Sequence, residues 1–131
     1  MLDLVLLPDE YAVCRLDAGA AIPGGLEPSG KGIVSLTWTP DEISIICPVD
    51  QAPEGAHQNT PWRCFRVNGP ATLALTGILA SLVNPLADAR VNIFAFSTYD
   101  TDYVLVPAVR IGEALAALAA AGHRIETPPA P

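Results

Sequence analysis

The side chains with chemical potential gather in one stretch, Phe96 to Pro107, where Thr98 and Tyr99 lead into Asp100, Thr101 and Asp102. Carboxylates accept charge-assisted hydrogen bonds, and threonine hydroxyls both donate and accept, so such a corner suits an ammonium group. Upstream, Thr76-Gly77-Ile78 has the form of a helix start, whose unpaired backbone N–H groups and dipole favour a carboxylate. Gly77 lacks a Cβ and lets a ligand come close to that first turn. Between them, a carboxylate-bearing corner and a helix start could face one small zwitterion. Each piece also has a plainer use: Thr76-Gly77 as an N-cap, Asp100 and Asp102 as solvated turn formers. A hard cation wants more oxygen ligands than this corner offers, so neither a metal nor another cofactor is expected.

The corner needs strands to hold it. Asn92 to Ser97 alternates up to it, and Tyr103 to Val106 leaves it as a β-branched and aromatic run. Leu75, Ile78, Leu79, Leu82, Leu86 and Ala89 recur at helical spacing, with Ser81, Asn84 and Asp88 opposite. Pro85 is the misfit there, since proline removes a backbone donor, and it predicts a bend near Asn84. Ile111 to Ala121 forms a second amphipathic helix stopped by Gly122, and His123 to Glu126 adds an edge strand. With Trp62 to Val67 as a strand, the order from residue 62 onward is strand, helix, strand, strand, helix, strand. That βαββαβ order is the ferredoxin-like α+β arrangement, a four-stranded antiparallel sheet with both helices on one face.

The first half offers strands and no convincing helix. Leu2 to Leu7, closed by Pro8-Asp9, and Tyr11 to Leu16 read as two short strands. Residues 17 to 32 are rich in glycine and proline and read as a loop. Ile33 to Thr39 and Ile43 to Cys47 form a hairpin around Pro40-Asp41-Glu42. Pro48 to Pro61 lacks apolar periodicity and reads as a surface linker. The expected division is a mainly β half over 1–61, a complete domain over 62–127 and a tail over 128–131 that has nothing to pack.

Bulk properties narrow the partners. The 131 residues are half hydrophobic and carry 14 acidic against 7 basic side chains, a net charge of −7. Repulsion then opposes nucleic acid and anionic membranes. No apolar run reaches the roughly 18 residues of a membrane span, and Met1 to Leu7 carries Asp3 with no basic region, so a cytoplasmic protein is expected. Cys14, Cys47 and Cys64 are odd in number, lack CxxC spacing and read as buried, reduced thiols. A cysteine nucleophile would need His57 or His123 beside one of them. Arg63 and Arg66 read as surface charges, Trp38 and Trp62 as packing residues.

Set against each other, Thr37 to Pro48 (TWTPDEISIICP) and Phe96 to Pro107 (FSTYDTDYVLVP) match without a gap. Thr39 meets Thr98, Asp41 meets Asp100, and Pro48 meets Pro107, at a shared offset of 59 residues. The pattern suggests a duplicated strand-corner-strand unit. Together with VNGPATLALTGILASL (67 to 82), these runs resemble the bacterial tandem ACT-domain proteins, related to the regulatory domains of aspartate kinases and to cytosolic arginine sensors. The resemblance covers nearly the whole chain. It implies a degenerate N-terminal ACT-like half packed beside a complete ACT domain, often in a dimer. It also implies an amino-acid site whose helix-start part falls on Gly77 and Ile78 and whose corner part falls on Thr98, Tyr99, Thr101 and Asp102.

The function expected is non-catalytic: a small molecule, an amino acid, binds at a lobe or subunit interface and changes how the halves sit together, in a protein expected to be a homodimer. A pocket with so few ligand atoms supports affinities of roughly micromolar to millimolar. The alternative is a dimerisation or interaction module with a vestigial site. An enzyme is the weakest reading, because no nucleophile elbow, phosphate loop or zinc spacing is present.

Overall fold

Seven strands and two helices appear among the described residues of the computed structural model, which are 2–22, 24, 26–27, 32–68 and 77–129. They divide into two compact units, one made of Met1–Pro8 and Arg63–Pro131, the other of Asp9–Trp62. The first strand, β1 (Asp3–Asp17), and the fourth, β4 (His57–Asn68), each run through both.

In the Asp9–Trp62 unit, β2 (Ser35–Trp38) and β3 (Glu42–Pro48) form an antiparallel hairpin. The later part of β1 adds to it, from Tyr11 opposite Pro48 to Asp17 opposite Glu42. Alternation points Ala12, Cys14, Ile43, Ile45 and Cys47 into one buried cluster, which Leu16, Leu26, Val34 and Leu36 cover. A 3-10 turn at Val49–Gln51 follows β3. The unit holds no α-helix among the described residues, as its lack of 3.6-residue periodicity implied.

In the other unit the order is β4, α1 (Ile78–Asp88), β5 (Phe94–Ser97), β6 (Asp102–Pro107), α2 (Ile111–Ala120) and β7 (Arg124–Glu126). The α+β, ferredoxin-like order expected from the sequence is therefore the observed one. Leu82 and Leu86 of α1 and Ala114 and Leu118 of α2 pack on Phe65, Val67, Val104 and Val106 of the strands. Gly122 ends α2 with φ +95°, a left-handed geometry that glycine adopts without a Cβ penalty.

Three boundaries differ from the sequence reading. Pro8 does not separate two strands: β1 continues through it for 15 residues. Proline removes a donor while its fixed φ still fits an extended chain, and Pro8 is exposed where the strand passes from one unit to the other. β4 begins at His57 inside the expected linker, because residues 57 to 61 are all exposed and leave no hydrophobic pattern to read. Finally, β7 pairs in parallel with Asp3–Val5 of β1, so the strand order in this unit is β7-β1-β4-β6-β5. The apolar run at the start of the chain thus completes the unit made mostly of the end of the chain. α1 remains one helix across Pro85 and starts at Ile78 behind Gly77, where the sequence places its start; Leu75, the first residue of the expected apolar stripe, lies outside the described residues.

Candidate functional site

The corner between β5 and β6 is tied by its own threonines. The Thr98 N–H donates to the Thr101 carbonyl at 2.8 Å, and the Thr98 hydroxyl lies 3.3 Å from the same carbonyl and 3.4 Å from the Thr101 N–H. Thr101 in turn donates its hydroxyl to the Val67 carbonyl at 2.7 Å, fastening the corner to the end of β4. Both hydroxyl protons are spent within the protein, which leaves oxygen lone pairs as what Thr98 and Thr101 can offer a ligand. Tyr99 projects from the tip, 84% exposed.

Asp102 faces Ser97 across the hairpin, and the Ser97 hydroxyl donates to Asp102 Oδ1 at 2.5 Å. A single strong bond orients the carboxylate while its other oxygen has no protein hydrogen bond among the described residues. Ser97 is the residue that the sequence reading passed over. The signal was there, since a hairpin turning between Tyr99 and Asp100 must set residue 97 opposite residue 102.

The helix start is built as a glycine turn. Gly77 caps α1 at φ +82° and ψ 0°, with no side-chain cap, and space is open where a Cβ would stand. The Ser81 N–H closes the first turn onto the Gly77 carbonyl at 3.0 Å, so the N–H groups ahead of it have no helical acceptor. Topology brings this turn and the corner to one end of the unit. β5 rises from Phe94 to the corner, and α1 ends six residues before Phe94 begins, so the helix descends toward the far end and its first turn stays at the corner end. Gly77, Ile78, Thr98, Tyr99, Thr101 and Asp102 therefore share that end. Thr76, the residue ahead of the cap, lies outside the described residues.

The other reactive groups are held quiet. Burial pushes the Cys47 and Cys64 thiols up to about 12 each, and raises Cys14 as well, so none is a ready thiolate. Tyr103, stacked on Phe96 with ring centroids 5.0 Å apart, is raised by burial too, with Arg66 pulling the other way. Both ring nitrogens of His123 are engaged by backbone groups, of Leu2 and Ser81. Among the described residues, no three His, Cys, Asp or Glu side chains are grouped to hold a metal ion. Among the described residues, no helix is long and apolar enough to cross a membrane. An open cleft of about 430 Å³ lies on β1, β4 and β7, lined by Asp3, Leu4, Asn68, Arg124, Ile125 and Glu126, and takes in none of the six expected site residues.

Known proteins share this architecture. A family model described as an ACT domain matches residues 59–120, and another, described as an N-terminal domain, matches residues 9–55. A protein from Agrobacterium tumefaciens with a crystal structure is 35% identical, with a TM-score of 0.89 over 98% of this chain and 95% of that one. The ligand-free regulatory subunit of aspartate kinase from Thermus thermophilus is 16% identical, with a TM-score of 0.61 over 91% of this chain and 96% of that one, a likeness of fold. The human putative protein CASTOR3P is 31% identical over an 85-residue alignment that covers 55% of this chain and 52% of that protein. The chain thus spans about half the length of that curated relative.

Proposed function

The chain belongs to the ACT-domain family, and on that premise we propose that it is a non-catalytic regulatory protein whose small-molecule ligand is an amino acid. In this reading the ligand carboxylate meets the first-turn N–H groups at Gly77 and Ile78, and the ammonium meets Asp102, with Thr98, Tyr99 and Thr101 around it. The observation that carries the reading is the oriented, half-open carboxylate of Asp102: Ser97 fixes one oxygen, and the other is left to accept. A charge-assisted bond to such a group contributes on the order of 1.5 to 3 kcal/mol net, enough to matter for a ligand of about ten heavy atoms. Similarity to an aspartate kinase regulatory subunit supports the regulatory role, and the buried, protonated thiols support a protein without a cysteine nucleophile. A cytoplasmic location and a homodimer belong to the same proposal.

The test is a thermal-shift screen of the purified protein against the twenty amino acids, repeated on Asp102→Ala. One amino acid should raise the melting temperature of the wild type and leave Asp102→Ala unmoved. If none raises it at millimolar concentration, the sensor reading fails at useful affinities. A dimerisation module with a vestigial site would then lead, a reading favoured by the exposed Tyr99 and Val109, 84% and 85% accessible.

A further inference from the structure

Pro85 has no N–H, so the carbonyl one turn earlier in α1, that of Ser81, receives no helical donor. His123 takes its place: Nε2 lies 2.9 Å from the Ser81 carbonyl oxygen. The opposite ring nitrogen, Nδ1, accepts the Leu2 N–H at 3.1 Å. Because Nδ1 accepts, the proton sits on Nε2, and one neutral tautomer satisfies a donor from β1's leading edge and an acceptor in α1. The residue is 7% exposed. Its backbone is anchored as well. The His123 N–H donates to the Leu118 carbonyl at 3.1 Å, and the Arg124 N–H to the Leu2 carbonyl at 2.9 Å.

We infer that His123 is a pH-sensitive latch that ties the first turn of α1 to the strand opening the unit, and that protonating the ring releases both. A proton on Nδ1 would set two donors, N–H against N–H, in a place too enclosed for water to supply the missing acceptor. The folded latch fits the neutral ring, in which Nδ1 accepts and Nε2 donates. The charges facing it do not offset this. On the facing stretches of β1 and β7, Asp3 and Arg124 pair with each other at 2.7 and 3.1 Å, and the carboxylate of Glu126 is exposed. The one charged residue of α1 is Asp88 at its far end, and that of α2 is Glu113, paired with Arg110 in the first turn. The latch bears on the proposed ligand site, and to that extent rests on that reading, because the turn it holds carries the N–H groups assigned to the carboxylate.

The test needs no ligand, so its failure and that of the amino-acid reading are separate results. Hydrogen exchange is followed at the Ser81 and Arg124 amides, corrected for intrinsic rates, across the range of roughly pH 5 to 8 where imidazole changes charge. Wild type should lose protection about tenfold toward the acid end, the effect of one lost hydrogen bond. His123→Gln, whose amide can accept and donate but not titrate, should keep its protection flat with pH. His123→Leu should be weakly protected throughout. An acid-side loss that persists in His123→Gln, or no loss in wild type, overturns the latch. Should His123→Gln fail to fold, ring ¹⁵N shifts of the wild type decide: His123 must titrate at the same midpoint as the loss of amide protection, and a ring that titrates without it refutes the latch.

Discussion

β2–β3 and β5–β6 are one hairpin geometry in two settings, and their differences separate what holds a corner from what a corner can bind. The register agrees pair for pair, Ser35 opposite Ile46 and Phe94 opposite Leu105, through Trp38 opposite Ile43 and Ser97 opposite Asp102. The turn bonds agree too: Thr39 uses its N–H and hydroxyl on Glu42 as Thr98 does on Thr101. Each second strand ends in a proline that leads a 3-10 turn. The contrast lies at the last pair before the turn. There the first hairpin has Trp38, 61% exposed, and Ile43, 1% exposed, where the second has the hydroxyl-carboxylate pair. Threonine at the turn thus serves the hairpin, while Ser97 and Asp102 are spent on nothing the first hairpin needs.

The largest effect should come from transplanting the difference. Ile43→Asp would bury an unpaired carboxylate and is expected to cost about 4 kcal/mol or more, seen as loss of cooperative unfolding in a denaturant titration. If the variant folds at near wild-type stability, the two corners are less distinct than their burial implies. Next comes the ligand. An amino acid at about a thousand times its Kd should stabilise the wild type by about 4 kcal/mol, and Asp102→Ala should remove that gain with only a small loss of its own.

Alkali should weaken both units, since each holds a thiol pushed to about 12, Cys47 in one, beside the also raised Cys14, and Cys64 in the other. Unfolded thiols ionise near the ordinary value of 9.0, so stability is full below that pH and falls as pH rises toward 12. Cys47→Ala and Cys64→Ala should each flatten that decline in melts taken across the range. The smallest effect should also be the most even: Thr39→Ala and Thr98→Ala should each cost about 1 kcal/mol. A clear inequality between them would show that one corner draws on contacts beyond its own turn.

The hairpins were legible in the sequence because everything that makes them is local: alternation, a turn rich in Thr and Asp, and a closing proline. Thr98, Tyr99, Thr101 and Asp102 of the proposed site sit on those local signals, and Gly77 and Ile78 on an equally local one, a helix start. What escaped notice has long reach or leaves no pattern. Nothing near His123 announces Ser81, 42 positions earlier, and Pro85 reads as a flaw in α1 until the ring that bonds to the vacated carbonyl is seen. The exposed residues 57 to 61 carry no periodicity to mark a strand. The apolar run Leu2 to Leu7 reads as the start of a neighbouring lobe, since strands close in sequence are ordinarily close in space. Its partner strand β7 stands near the other end of the chain.

That last pairing has a consequence for a chain made from its N-terminus. Leu4 and Leu6 leave the ribosome well ahead of their neighbours: the strand opposite Asp3–Val5 emerges only with Arg124–Glu126, and β4 only after residue 57. At translation rates of about 5 to 20 residues per second, the wait for β7 is roughly 6 to 24 s. Hydrophobic side chains on an unpaired strand are sticky over such an interval, so the nascent chain is exposed to misassociation until β7 arrives. The finished unit closes only when Asp3–Val5 and Arg124–Glu126 have met.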